Sequence, residues 1–199
     1  MNDKEKRKFG IPDEMFVRGK VPMTKEEVRV ITLSKLKLED QSIVVDIGAG
    51  TGSISIECAL IAEHGKVYSV EVNNEGVELI NKNIQKFEVE NVYPIMGMAP
   101  EALEKIESVD RVMIGGSKGN LKEIVSWTNE NLNPEGIIVA NFITIENTYL
   151  LIEELKKNNY TYELVQISVS KSKLINNITM MQGLNPVFIV SAKKNNKTY

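Results

Sequence analysis

The stretch Ile43-Val44-Val45-Asp46-Ile47-Gly48-Ala49-Gly50-Thr51-Gly52 is a β-branched apolar run that empties into three glycines at alternate positions. Its first half reads as a buried parallel strand. The glycines let the backbone turn sharply with no Cβ in the way, so that something flat can lie against the turn. Residues 53–64 then read as a helix, with Ile54, Cys58 and Ile61 on one face and Gly65 as its stop. In an open α/β sheet, the loop between a strand and the helix that follows it is the ligand crevice.

The glycine spacing separates the possible ligands. A dinucleotide fingerprint starting at Gly48 needs glycine or alanine at position 53, where this chain has Ser53, and the Gly-Lys-Ser/Thr of a P-loop is absent. About 20 residues beyond the loop, Glu71 closes a second apolar strand, Val67-Tyr68-Ser69-Val70, where a carboxylate can accept two hydrogen bonds from a ribose diol. Alone, the loop reads equally well as an ordinary tight turn and the acid as a solvated strand end. Strand, loop, helix, strand and acid in this order point to a nucleoside site.

The rest of the chain alternates strands and helices. Thr24-Lys25-Glu26-Glu27 has the form of a capping box, with Thr24 as N-cap, and opens a helix that runs to about Lys37. Residues 74–87 carry Val77, Ile80, Ile84 and Phe87 at helical spacing and lead to a third strand at 92–96. Pro94 lies inside that strand and cannot donate to a central ladder, which puts it at a sheet edge, where strand three falls in a 3-2-1-4-5 order. Pro100 opens a short helix, and residues 110–114 make a fourth strand ending at Gly115-Gly116-Ser117. A helix over 121–132, a turn at Asn133-Pro134-Glu135-Gly136, a fifth strand over 137–142 and a helix over about 146–158 follow. Two β-rich runs, 162–170 and 186–192, are joined by a stretch too short and too polar for a crossover helix, and read as an antiparallel finish.

A chain of 199 residues buries roughly 70% of its unfolded surface in one core. The expected organisation is a single domain over 1–199, made of a leading segment (1–22), an α/β core (23–193) and a mobile tail (194–199). The amino terminus, Met1-Asn2-Asp3-Lys4-Glu5-Lys6-Arg7-Lys8, is charged, no apolar stretch follows it, and no apolar run is long enough for a bilayer, which makes the cytoplasm the default and a membrane partner unexpected. One cysteine and one histidine cannot build a disulfide or a Cys/His metal cluster, so no metal is expected; Cys58 reads as a small buried residue and His64 as a helix-end residue. Net charge −3, a pI near 5.4 and scattered Lys/Arg leave no basic field for a nucleic-acid backbone.

Loop and acid together resemble the class I, Rossmann-like methyltransferases that use S-adenosylmethionine. The resemblance implies a seven-stranded, mostly parallel sheet with an antiparallel last strand and helices on both faces. It also implies that residues Gly48, Ala49, Gly50, Thr51 and Gly52 flank the methionine and ribose of the cofactor, and that Glu71 holds the ribose hydroxyls. Ala99, in Gly97-Met98-Ala99-Pro100, would sit beside the adenine; Met98 stands where many relatives carry an acid and would pack on the ring instead.

Outside the loop, residues 10–29 (GIPDEMFVRGKVPMTKEEVR), 97–103 (GMAPEAL), 114–117 (IGGS) and 183–188 (GLNPVF) resemble the decarboxylating cobalt-precorrin methyltransferases of anaerobic cobalamin biosynthesis, the CbiT family. This resemblance spans about residues 10–193. It implies methyl transfer to carbon 15 of cobalt-precorrin-6B with loss of the ring C acetate carboxyl as carbon dioxide, giving cobalt-precorrin-7. It further implies that Thr24 touches the cofactor and that the protein is a homotetramer. The alternatives are a class I methyltransferase acting on protein isoaspartate or transfer RNA, and a non-catalytic nucleoside-binding or NAD-binding module.

A polycarboxylate tetrapyrrole docking on a net negative protein calls for a local basic rim, with Arg18, Lys20, Arg29, Lys118, Lys171 and Lys173 as candidates. Gly115, Gly116 and Ser117 are expected to form the floor under the macrocycle, since a glycine pair ending a central strand permits close approach of a large flat ligand. Apolar residues of the leading segment, Ile11, Met15, Phe16 and Val17, are expected to be exposed as an interface or a lid.

Overall fold

A computed structural model of the chain describes residues 9–195. The charged terminal arm at 1–8 and positions 196–199 of the expected tail lie outside the described residues. In chain order the elements are α1 (Glu26–Leu36), β1 (Ile43–Ile47), α2 (Ser53–Ile61), β2 (Lys66–Glu71), α3 (Asn74–Phe87), β3 (Val92–Met96) and β4 (Val109–Ile114). Then come α4 (Leu121–Asn131), β5 (Leu132–Phe142), α5 (Ile145–Lys157), β6 (Tyr160–Ile167), β7 (Ser170–Ile175), β8 (Ile178–Gly183) and β9 (Val187–Lys194). Single 3-10 turns lie at Asp13–Met15 and Glu101–Leu103.

Seven strands form one sheet in the order β3-β2-β1-β4-β5-β9-β6. The first five run parallel, and β9 enters antiparallel between β5 and β6. Pro94 sits on edge strand β3, in register with Ser69, so its missing N–H costs no central ladder bond. Because side chains alternate across a strand, β1 sends Val44 to one face and Val45 and Ile47 to the other. Helices α1 and α2 bury Leu33, Leu36 and Ile56 on the Val44 face, while α4 and α5 bury Ile124, Leu151 and Leu155 on the opposite one. The result is a three-layer sandwich with no unburied sheet face over the central strands.

Several boundaries differ from the sequence reading for identifiable reasons. Helix α2 ends at Ile61, and Gly65 is not its stop: a Cβ there would lie 2.1 Å from the Ser42 carbonyl oxygen, so the glycine serves a close backbone approach. Thr24 does not cap α1. Lys25 occupies the cap position with no side-chain bond, and the Glu26 N–H donates instead to Asp13 Oδ1 at 2.9 Å, a cap delivered from the leading segment. The turn expected at 133–136 lies inside β5, where pairing with β4 shifts register between Val109 and Arg111. Strand β9 carries the chain through Lys194, and the Asn195 N–H donates to the Asn159 carbonyl at 3.0 Å, so ordered pairing reaches into the expected tail.

The polar connection between β6 and β9 is a hairpin, β7–β8, turned by Asn176 and Asn177, both at positive φ (47° and 64°). That is the backbone of a two-residue type I′ turn.

Candidate active site

A cleft of about 740 Å³ opens at the carboxyl ends of β1, β2 and β4. Gly48, Ala49 and Gly50 form its floor on one side; Glu71 and Ala99 continue it toward the β3 edge. Gly115, Gly116 and Ser117 line the side toward β5, and Thr24, just before α1, lines the opposite side. The structure therefore brings these predicted residues into one cavity. Thr51 and Gly52 do not line it: both are turned under the loop, where a Cβ on Gly52 would meet Ile80 Cγ1 at 3.0 Å, so that glycine admits helix α3 rather than a ligand.

The glycines of the loop answer to the protein as much as to a ligand. Gly48 (φ +73°) packs on the β4 loop so closely that a Cβ would stand 2.7 Å from the Gly116 nitrogen, and at Gly50 (φ +60°) one would stand 2.7 Å from the Pro22 carbonyl oxygen. The N–H groups of Gly48 and Ala49 both donate to the Val70 carbonyl, at 2.9 and 3.1 Å, which binds the loop to β2. Gly116 differs, with no atom within 4 Å of its Cβ position, and so faces open cleft.

Glu71 is buried, and its carboxylate accepts the Gly50 N–H at 2.8 Å on Oε2 and the Val72 and Asn73 N–H groups at 2.9 Å each on Oε1. An ionised carboxylate offers about four acceptor positions, so the one left over is on Oε2. The carboxylate thus shapes the loop and keeps one acceptor for a hydroxyl, one fewer than a diol uses. The lining fits a sulfonium nucleoside: a loop at 48–50 with small side chains and its N–H groups already bonded within the protein, one remaining carboxylate acceptor position, and an apolar end at Ala99 with half-exposed Met98 beside it.

Comparison with known proteins bears on which chemistry this cleft serves. Residues 14–194 match the family model described as a precorrin methyltransferase domain. The chain belongs to that family. A probable cobalt-precorrin-6B C(15)-methyltransferase (decarboxylating) of Sulfurisphaera tokodaii is 40% identical over 188 residues, spanning 93% of this chain and 97% of the relative. Among solved structures, a precorrin-6y C5,15-methyltransferase from Geobacter metallireducens superposes with a TM-score of 0.90 at 38% identity, covering 95% of this chain and 98% of that one. The precorrin 8w decarboxylase of Methanobacterium thermoautotrophicum gives 0.86 at 30% identity, covering 91% and 98%.

In this precorrin methyltransferase the basic rim is smaller than the sequence reading had it. Arg29 is fully buried, with Nε 2.5 Å from Glu57 Oε1 and Nη1 3.2 Å from Asp13 Oδ1, and Phe16 stacks on its guanidinium 4.7 Å from the ring centre. Lys171 pairs with Glu27 at 2.8 Å. Lys20 and Lys118 are the two rim candidates that line the cleft. Ile11 and Phe16 likewise turn inward, each 4% exposed, because the leading segment is strapped to α1 and α2 rather than free; Met15 alone of the four is exposed.

Beneath the loop, Ser69 Oγ donates to Ser55 Oγ and Ser55 Oγ to Asp46 Oδ2, each at 2.6 Å. Burial raises the Asp46 carboxyl to about 6, the Ser55 hydrogen bond opposes the rise, and the charge of Glu71 adds to it. Asn83 is a residue the sequence reading missed. It interrupts the apolar stripe of α3 between Ile80 and Phe87, and that one polar side chain on a buried face was the available signal. Its amide accepts the Val17 N–H at 2.7 Å and donates to the Val17 and Thr51 carbonyls at 3.1 and 2.9 Å.

Proposed function

We propose that this protein is an S-adenosylmethionine-dependent C-methyltransferase of corrin biosynthesis, which methylates carbon 15 of cobalt-precorrin-6B, releases the ring C acetate carboxyl as carbon dioxide and gives cobalt-precorrin-7. The observation that carries it is the convergence, in a precorrin methyltransferase domain, of the 48–50 loop, the Glu71 carboxylate and Ala99 on one cleft that continues to Gly116. Thr24, Gly48, Ala49, Gly50, Glu71 and Ala99 hold the cofactor in this reading, with Thr51 and Gly52 shaping the loop from below. Gly115, Gly116 and Ser117 form the macrocycle floor, with Lys20 and Lys118 to meet its carboxylates.

The bound sulfonium supplies an activated methyl group. What the chain adds is placement, which is worth roughly 7 to 11 kcal/mol when the reacting atoms are held in line. We further propose that it works in the cytoplasm as a homotetramer. Both faces of the β7–β8 ribbon are exposed, with Leu174 at 69% and Met181 at 66% on one and Ile178 at 64% and Met180 at 54% on the other, and an isolated two-stranded ribbon is marginal in water. A second apolar surface, Ile145 and Tyr149 on α5 with Tyr162 and Leu164 on β6, offers the second contact that a dihedral tetramer needs.

The test is incubation with methyl-labelled cofactor and cobalt-precorrin-6B, expecting a labelled product and one carbon dioxide per methyl transferred. Calorimetry should show S-adenosylhomocysteine binding more tightly than NAD. Gly116→Leu, which puts a side chain into open cleft, is expected to keep S-adenosylhomocysteine affinity and lose methylation. Equal or tighter binding of NAD, or full methylation by Gly116→Leu, would count against the respective assignments.

A further inference from the structure

The nucleoside half of the cleft has two walls that share no strand pairing. One is the loop at 48–50, the other the strap at 20–24, and the two touch where the Pro22 carbonyl covers Gly50. Something must set the gap between them. The strap is stapled upstream by Glu57, whose carboxylate accepts the Gly10 and Ile11 N–H groups at 2.8 and 3.1 Å, and by Arg29, which donates to the Thr24 carbonyl at 2.6 Å. Those anchors join the strap to α1 and α2 but not to the loop.

Asn83 on α3 reaches the chain behind both walls, at Val17 three residues before the cleft-lining part of the strap and at Thr51 directly after that of the loop. It is fully buried, its oxygen takes the Val17 N–H, and its two amide protons go to Val17 on the strap and Thr51 in the loop. All of its donors and one acceptor position are therefore spent across the gap. The same helix meets the strap again where Glu75 Oε1 accepts the Lys20 N–H at 2.7 Å, and Glu71, just before it, holds Gly50. Helix α3 acts as a ruler between the walls, and among the described residues Asn83 is its buried side chain bonded to the segments that carry both.

We infer that Asn83 is a positioning residue for cofactor binding: its amide fixes the width of the nucleoside slot by tying the strap at Val17 to the glycine loop at Thr51. This rests on the reading of the cleft as an S-adenosylmethionine site. Asn83 touches no reacting atom, so its loss should weaken ground-state binding of the cofactor and leave the chemistry of the filled site intact.

Asn83→Ala and Asn83→Asp, the second placing a carboxylate against two carbonyl oxygens, are each expected to raise the Kd for S-adenosylhomocysteine and the KM for S-adenosylmethionine by about 10- to 100-fold. The kcat at saturating cofactor and the KM for the tetrapyrrole should stay near wild type. Hydrogen exchange on the unmodified protein supplies a second measurement, independent of whether the variants fold: the Val17 amide should be protected, and more so with S-adenosylhomocysteine bound. Variants that bind it as tightly as wild type, kcat falling in step with both KM values, or a Val17 amide exchanging at the free-peptide rate in the complex would overturn the inference. Wild-type protein that fails to bind S-adenosylhomocysteine at all refutes instead the assignment of the cleft, and this inference with it.

Discussion

Asp46 lies 1% exposed at the end of β1 with a serine hydroxyl as its hydrogen-bond donor. Its carboxyl is raised to about 6 in the folded protein, against about 3.9 in an unfolded chain. The folded state thus holds this proton more tightly. Its contribution favours folding below about pH 4, and is lost as pH rises toward about 6, by on the order of 2–3 kcal/mol. Asp46→Asn keeps an acceptor for Ser55 and removes the titration. The variant should gain stability relative to wild type between pH 4 and 7 in denaturant titrations, and parallel profiles would show that the carboxyl does not carry this cost. At this scale the places of Gly48, Gly50 and Glu71 in the cleft lining were readable from their offsets to strand ends, and that of Ala99 through the family resemblance. The bonds of Asn83 and Arg29 were not, since their partners lie 66 and 28 positions away; the polar break in the stripe of α3 marks Asn83 as buried but does not say what it holds.

Helix α1 shows what a local rule misses. Its first turn satisfies the capping-box spelling, yet the free N–H of Glu26 goes to Asp13, because the leading segment folds back onto the helix and competes with Thr24 for the position. The buried Arg29–Glu57 pair holds that fold-back, with Glu57 also accepting the Gly10 and Ile11 N–H groups. Glu57→Ala would leave a fully buried guanidinium without its nearest counter-charge, and a loss of about 3 kcal/mol or more is expected in chemical denaturation. A loss below 1 kcal/mol would mean that the backbone carbonyls around Arg29 suffice. The long elements were legible from their periodicity: α3 ends with the last residue of its apolar spacing, Phe87, and begins one turn before the first, Val77, and β3 spans the expected 92–96. Helix ends that answer to packing, such as α2 against Ser42, were not.

For the whole molecule, the order of the five parallel strands followed from one proline and from the βα alternation, and the inserted antiparallel strand from the family resemblance, whereas the β7–β8 ribbon stayed hidden behind a Ser-Lys-Ser-Lys run that looks like loop. The pair Asn176-Asn177 between two six-residue runs was the missed sign. If this ribbon is the seam between copies, Leu174→Lys combined with Met181→Lys, which share one ribbon face, should lower the mass seen by light scattering while leaving S-adenosylhomocysteine binding in place. An unchanged mass would move the seam elsewhere. The sheet's topology carries one more consequence. Strand β9, the last strand among the described residues, lies between β5 and β6 and pairs with both, so these two strands are not joined until it arrives between them. A growing chain can wind its five parallel strands early, but must carry an unfilled slot in its architecture until Val187–Lys194 threads home between two strands already made, and the sheet is then sealed from the inside rather than at its rim.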